Sequence, residues 1–238
     1  MPREQLDRQI HHLQDEVLLL GSVVEQAVLD AVQALMRHDI DTARRLYYAD
    51  KDINERRYAI ENACFTTIAT QQPVARDMRT LAALLEVSNE LERIGDYAKG
   101  IAKICLMVNT DENSLFQIAS DIPRMAEIGV DMLHRALGAL VKEDIEAARE
   151  IPAMDDDVDQ LYITVYRELI QAMIKNPEII DQANYILWVA HNLERVADRV
   201  TNICERTIFV VSGELMEIKS KNDIDKPLLS LSKNNSAG

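Results

Sequence analysis

The chain has 238 residues, 40 of them acidic and 26 basic, for a formal net charge of −14. Affinity for nucleic acid or for an anionic lipid surface rests on cations, so this balance argues against both as partners. With only 7 glycines, 6 prolines and 5% aromatic residues a strand-and-turn architecture is disfavoured, while 47% apolar residues can fill a core; the expected class is all-α.

In the first segment an apolar residue recurs at Leu6, Ile10, Leu13, Val17, Leu20, Val24, Ala27, Ala31 and Ala34. Alternating steps of four and three predict one long helix. The longest unbroken apolar run, 185–190, is six residues, against the roughly 20 a spanning helix needs, so no direct membrane insertion is expected. The opening residues Arg3, Glu4, Asp7 and Arg8 do not resemble an export signal, and the expected location is the cytoplasm.

A break at 39–41 starts a second helical stretch to about Thr70, which Pro73 ends. The third, from about Val74 to Val108, carries Leu84, Val87, Leu91, Ile94, Ala98, Ile101 and Cys105 at the same steps. After a polar link at 109–114 come a fourth helix through Met132, Leu137 and Leu140, a turn at 142–144, a fifth helix, and a sixth opened by Pro177. Pro152 lies inside the fifth and predicts a kink or short break just ahead of Asp155. The polar, aperiodic end after residue 218 reads as a disordered tail.

The second half repeats the first. His38–Arg44 aligns with Glu143–Arg149, and Asp50–Asn54 with Asp155–Asp159, both at an offset of 105; Leu91–Asp96 aligns with Leu193–Asp198 at 102. The expected architecture is two tandem antiparallel three-helix bundles from an internal duplication, six helices in all. The first spans 1–109, the second 110–218, and the tail 219–238.

With Leu91 and Ile94 facing the core, Glu92 and Asp96 fall about 40° apart on the opposite, outward face. The sixth helix sends Glu194 and Asp198 outward in the same way, with His191 and Glu205 along the same strip. Asp50 with Asn54, and Asp155 with Asp159, are further i,i+4 pairs beside Ile53 and Val158. Like charges at that spacing destabilise a helix by roughly 0.2–0.5 kcal/mol, and their recurrence in both copies points to a use rather than to a solvated acidic face. If the pair-bearing helices of each copy are neighbours, two patches form: Asp50, Asn54, Glu92 and Asp96, and Asp155, Asp159, Glu194 and Asp198. Four oxygen-bearing side chains suit hard divalent or ferric ions such as iron, manganese or magnesium, with zinc also in range. The amide of Asn54 should make the first patch the weaker.

Other residues offer less chemistry. Cys64, Cys105 and Cys204 contain no CxxC pair and read as core thiols. His11, His12, His38 and His134 form no ligand-like cluster, and Trp188 and the tyrosines read as packing residues. With no glycine-rich phosphate loop and no nucleophile motif, covalent catalysis has no support and no catalytic residue is assigned.

In the stretches Leu91-Glu92-Arg93-Ile94-Gly95-Asp96 and Asn192-Leu193-Glu194-Arg195-Val196-Ala197-Asp198, and in Gln72-Pro73 with Arg79 ahead of the third helix, the sequence resembles the PhoU family of phosphate-uptake regulators. The resemblance covers nearly the whole chain. It implies a non-enzymatic negative regulator that restrains the phosphate ABC transporter through its ATPase subunit and holds the phosphate-sensing histidine kinase off when phosphate is plentiful. It also implies homodimers, and metal clusters at the acidic pairs, iron in some members and other divalent ions in others. Three rival readings stand beside it: a ferritin-like di-iron protein, a metal-dependent all-helical nucleotide pyrophosphohydrolase, and a metal-free helical scaffold that docks basic partners. The di-iron centre needs Glu-x-x-His, which the chain lacks; the pyrophosphohydrolase needs acidic residues three apart facing a cavity, where the spacing here is four.

Overall fold

The same joint opens the second helical stretch of each half. His38 and Glu143 end their helices in the left-handed region, at φ 51° and 54°. The next residues, Asp39 and Asp144, accept a hydrogen bond from the backbone N–H of Thr42 and Ala147, each at 3.0 Å. An aspartate there satisfies an otherwise orphaned amide, worth about 1 kcal/mol per cap. A local device 105 residues apart thus resets the chain direction twice.

The computed structural model describes residues 2–108 and 119–218. Its helices are α1 (Pro2–Arg37), α2 (Ile40–Gln71), α3 (Arg76–Cys105), α4 (Ile122–Lys142), α5 (Ile145–Glu150), α6 (Asp155–Lys175) and α7 (Ile180–Ser212). Short 3₁₀ turns, Ile151–Met154 and Pro177–Ile179, precede α6 and α7. The fifth expected helix is therefore α5 and α6, parted at Pro152, whose ring and missing N–H do not fit a continuous α-helix. The 109–114 link, the expected boundary between the halves and the 219–238 tail lie outside the described residues.

α1, α2 and α3 pack as one bundle, and α4, α5–α6 and α7 as the other. The halves meet along α3 and α7 and along α1 and α4, so α2 and α6 are left on the outside. At one meeting Gly21 of α1 faces Leu137 of α4, and a methyl group there would force the end of the Leu137 side chain to shift. At the other, the Arg199 guanidinium donates to the Tyr97 hydroxyl (3.3 Å) and to Glu90 (3.4 Å), and Arg206 pairs with Glu86 at 3.4 Å. Tyr97 and Arg199 are equivalent positions of the two copies, so this contact lies where the repeats face each other.

One core runs through both halves, from Leu6 and Leu20 of α1 to Val200 and Ile208 of α7. By length and composition α1 is long and apolar enough to cross a membrane, although no long unbroken apolar run marks it. Its apolar stripe, including Leu13, Val17, Val24, Val28 and Leu35, is buried in the bundles. The three cysteines are buried as expected, and burial pushes the thiols of Cys64 and Cys204 up to about 12 and that of Cys105 to about 11. Trp188 departs from expectation: it is 63% exposed, because its neighbours Ile186 and Val189 fill the core side of α7.

The outer helix of each half approaches its partner through a matched exchange. In the first copy Ile53 of α2 lies against Gly95 of α3. In the second the equivalent residues, Val158 and Ala197, are both fully buried. One carbon moves across the contact while the total stays constant, which keeps the helix spacing compatible with both acidic patches. A methyl group on Gly95 would stand 3.0 Å from Ile53 Cδ1. Gly95→Ala should therefore forfeit most of the ~1 kcal/mol that alanine gains over glycine in a helix. In an Ile53→Val background, which removes Cδ1 and leaves the Cγ2 contact at 3.2 Å, part of that gain should return. Denaturant unfolding of the four-member cycle should show a favourable coupling of up to about 1 kcal/mol, and additive effects would refute the contact.

Candidate metal centre

The sequence places both acidic pairs of a copy on helices that prove to be neighbours, α2 with α3 and α6 with α7. The exposure expected of this outward face requires correction. Asp50, Asp155 and Glu194 are only 8%, 6% and 9% exposed, and Glu92, Asp96, Asn54 and Asp159 are half-buried. Asp198 alone of the eight is exposed. The apolar seam turns these side chains away from the core, but the neighbouring helix then covers them, so they line the crevice between two rods.

In the first patch the Lys99 ammonium donates to Asp50 Oδ2 at 2.7 Å. The Asn54 amide donates to the same oxygen at 3.2 Å and to the Asp50 carbonyl at 3.0 Å. Burial raises the carboxyls of Glu92 and Asp96 above their ordinary range. Asp96 and Asp50 add to the rise at Glu92, and Asp50 adds to it at Asp96. Arg93 opposes both shifts, with Arg57 acting on Glu92 and Lys99 on Asp96. The first patch is a mixed-charge cluster.

In the second patch burial, followed by the carboxylates of Asp159, Asp198, Glu194 and Asp156, lifts Asp155 from an ordinary 3.8 to about 7. The other three expected acids thus all act electrostatically on Asp155. The break at Pro152 places Asp155, Asp156 and Asp157 in the first turn of α6, where the helix dipole favours negative charge. His191 Nδ1 lies 3.4 Å from Glu194 Oε2, and the ring packs against Tyr162 at 6.3 Å between centroids. Burial and then Arg195 hold its imidazole below the ordinary range, toward the neutral, ligating form. Glu205, expected on the same strip, lies elsewhere: its carboxylate accepts from the Ile218 N–H at 2.8 Å.

The donor set of the second patch fits a hard cation. Asp155 Oδ1 is buried without a hydrogen-bond partner, as is the equivalent Asp50 Oδ1 of the first patch, an arrangement that is costly unless another group completes it. Among the described residues no three His, Cys, Asp or Glu side chains are already gathered in a ligating arrangement. Lys99 and Arg57 are the residues the sequence reading missed. Extending the repeat alignment sets Lys99 against Thr201 and Arg57 against Tyr162, a difference in charge visible in the sequence alone.

A duplicated helical bundle with an acidic crevice in each copy defines a class, and the comparisons identify the family. The PhoU domain pattern matches twice, over residues 17–105 and 122–207. The chain belongs to the PhoU family. It is 32% identical over 219 residues to the phosphate-specific transport system accessory protein PhoU homolog of Clostridium acetobutylicum, covering 92% of this chain and 99% of that one. To the accessory protein PhoU of Escherichia coli (strain K12) it is 31% identical over 224 residues, covering 94% and 92%. The crystal structure of the phosphate transport system regulatory protein PhoU from Streptococcus pneumoniae superposes with a TM-score of 0.80 at 30% identity, covering 90% of this chain and all of that one.

The raised Asp155 carboxyl has a consequence for stability. Between pH 3.8 and about 7 the folded metal-free chain retains a proton that the unfolded chain has lost, so stability falls as pH rises through that window. Asp155→Asn removes the penalty. With chelator present its melting temperature should exceed that of the wild type at pH 8 by roughly 2–4 °C per kcal/mol relieved. The gap should close toward pH 4. A gap independent of pH would show that Asp155 is not strained by its neighbours.

Proposed function

We propose that the chain is an accessory regulator of a phosphate transport system, acting in the cytoplasm and without catalytic activity. It restrains uptake and phosphate-starvation signalling by contacts with the ATPase subunit of a phosphate ABC transporter and with a phosphate-sensing histidine kinase, and it works as a homodimer. The observation that carries this reading is the PhoU pattern in both halves, together with relatives that bear the accessory-protein name over nearly their whole length.

The second patch is the metal site of this reading, with Asp155, Asp159, Glu194 and Asp198 as ligand candidates. Support comes from the buried, unpartnered Asp155 Oδ1, on which Asp159, Asp198 and Glu194 all act electrostatically. A bound divalent or ferric ion supplies positive charge and open coordination positions for a phosphate oxygen or a partner carboxylate. The protein holds the four acids on two adjacent helices, orients them through the α6–α7 packing and keeps Asp155 out of water. The surface charge at the crevice thereby depends on the metal supply.

A pull-down from phosphate-replete cells, with and without chelator, tests both parts. The tagged chain should recover a phosphate-transporter ATPase. Chelator, or Glu194→Gln with Asp198→Asn, should lower recovery at least tenfold while the circular-dichroism spectrum stays helical. Absence of any phosphate-transporter component would refute the regulatory role, and recovery indifferent to chelator and substitutions would refute the metal.

A further inference from the structure

The two patches occupy equivalent positions, yet four side chains around them differ in one chemical direction. Asn54, Arg57, Asn89 and Lys99 of the first copy stand where the second has Asp159, Tyr162, His191 and Thr201. Each change from second to first replaces a ligating or neutral group with an amide or a cation. Their contacts match this reading. Lys99 and Asn54 both bind Asp50, whereas Arg57 donates to Asn89 at 3.4 Å and to Glu61 at 2.8 Å. In the second copy Tyr162 packs on His191, which lies beside Glu194. Asp50 Oδ1 and Asp155 Oδ1 are both buried without a hydrogen-bond partner, so the copies differ not in that oxygen but in the ammonium of Lys99 on the other oxygen of Asp50, where the second copy has the Thr201 hydroxyl. Arg93 and Arg195 are equivalent and do not distinguish the copies.

We propose that Lys99, with Arg57 and Asn54, is a tethered counter-ion that keeps the first acidic patch free of metal, so that the second patch alone responds to it. An ammonium 2.7 Å from Asp50 already supplies the positive charge that a cation would bring. Entry of an ion would require expulsion of Lys99 and would bring the ion up to a fixed like charge. The first half therefore keeps one charge state at all metal concentrations, while the second switches. This asymmetry rests on the reading of the second patch as a metal centre.

Manganese is a suitable probe, with binding to the full chain followed by calorimetry and by the electron paramagnetic resonance signal of the free ion. Wild type should show one class of site. Asp155→Asn with Glu194→Gln should abolish it, weakening binding at least a hundredfold. In that double variant, giving the first patch the second copy's residues (Asn54→Asp, Arg57→Tyr, Lys99→Thr) should restore binding at least tenfold, and a further Asp50→Asn should remove it again. If Asp155→Asn with Glu194→Gln keeps manganese that Asp50→Asn then removes, the counter-ion proposal fails while the metal reading of the family site stands. A folded variant carrying the exchange that still binds no manganese also overturns it. Should the exchange prevent folding, Lys99→Gln alone must gain affinity in the Asp155→Asn, Glu194→Gln background. A wild type that binds no manganese, iron or zinc defeats the underlying metal reading itself.

Discussion

Carboxylates crowded between two helices and partly withdrawn from water need positive charge nearby, and the local structure of both halves reflects that requirement. Moving like charges into a crevice of lowered dielectric raises their repulsion and removes the water that would screen it. The first half meets the demand within the chain, through the Lys99 ammonium on Asp50 and the guanidiniums of Arg57 and Arg93. In the second half the start of α6 favours negative charge, and burial among the acids nevertheless raises the Asp155 carboxyl to about 7.

The crevice itself depends on how closely α2 approaches α3 and α6 approaches α7. Ile53 against Gly95, and Val158 with Ala197, fill equivalent volumes by different routes, so the two copies preserve one spacing while their surfaces diverge. The contact of α3 with α7, through Arg199, Tyr97 and Glu90, ties the helices that carry Glu92 and Glu194 to each other. A change of charge at the second crevice therefore acts on a helix that is itself part of the junction between the halves.

Much of this was legible in the sequence because it is periodic or repeated. The steps of four and three located the long helices, and the offsets of 105 and 102 revealed the duplication and paired each acid with its counterpart. Pro152 announced the break between α5 and α6, since proline excludes itself from a helix interior by its own geometry. Burial was misread where periodicity offered only two faces. Glu194 lies off the apolar seam of α7 yet is 9% exposed, because α6 supplies a second wall. Trp188 was misread in the opposite sense.

The chain order of residues was sufficient to settle helix, joint and repeat, because these follow from backbone geometry and from which side chains avoid water. Which charges meet was decided by the tertiary structure. Lys99 and Asp50 are 49 residues apart, and Asp155 and Asp198 are on different helices. Their interaction depends on the rotation and separation of packed rods, quantities that no local pattern encodes.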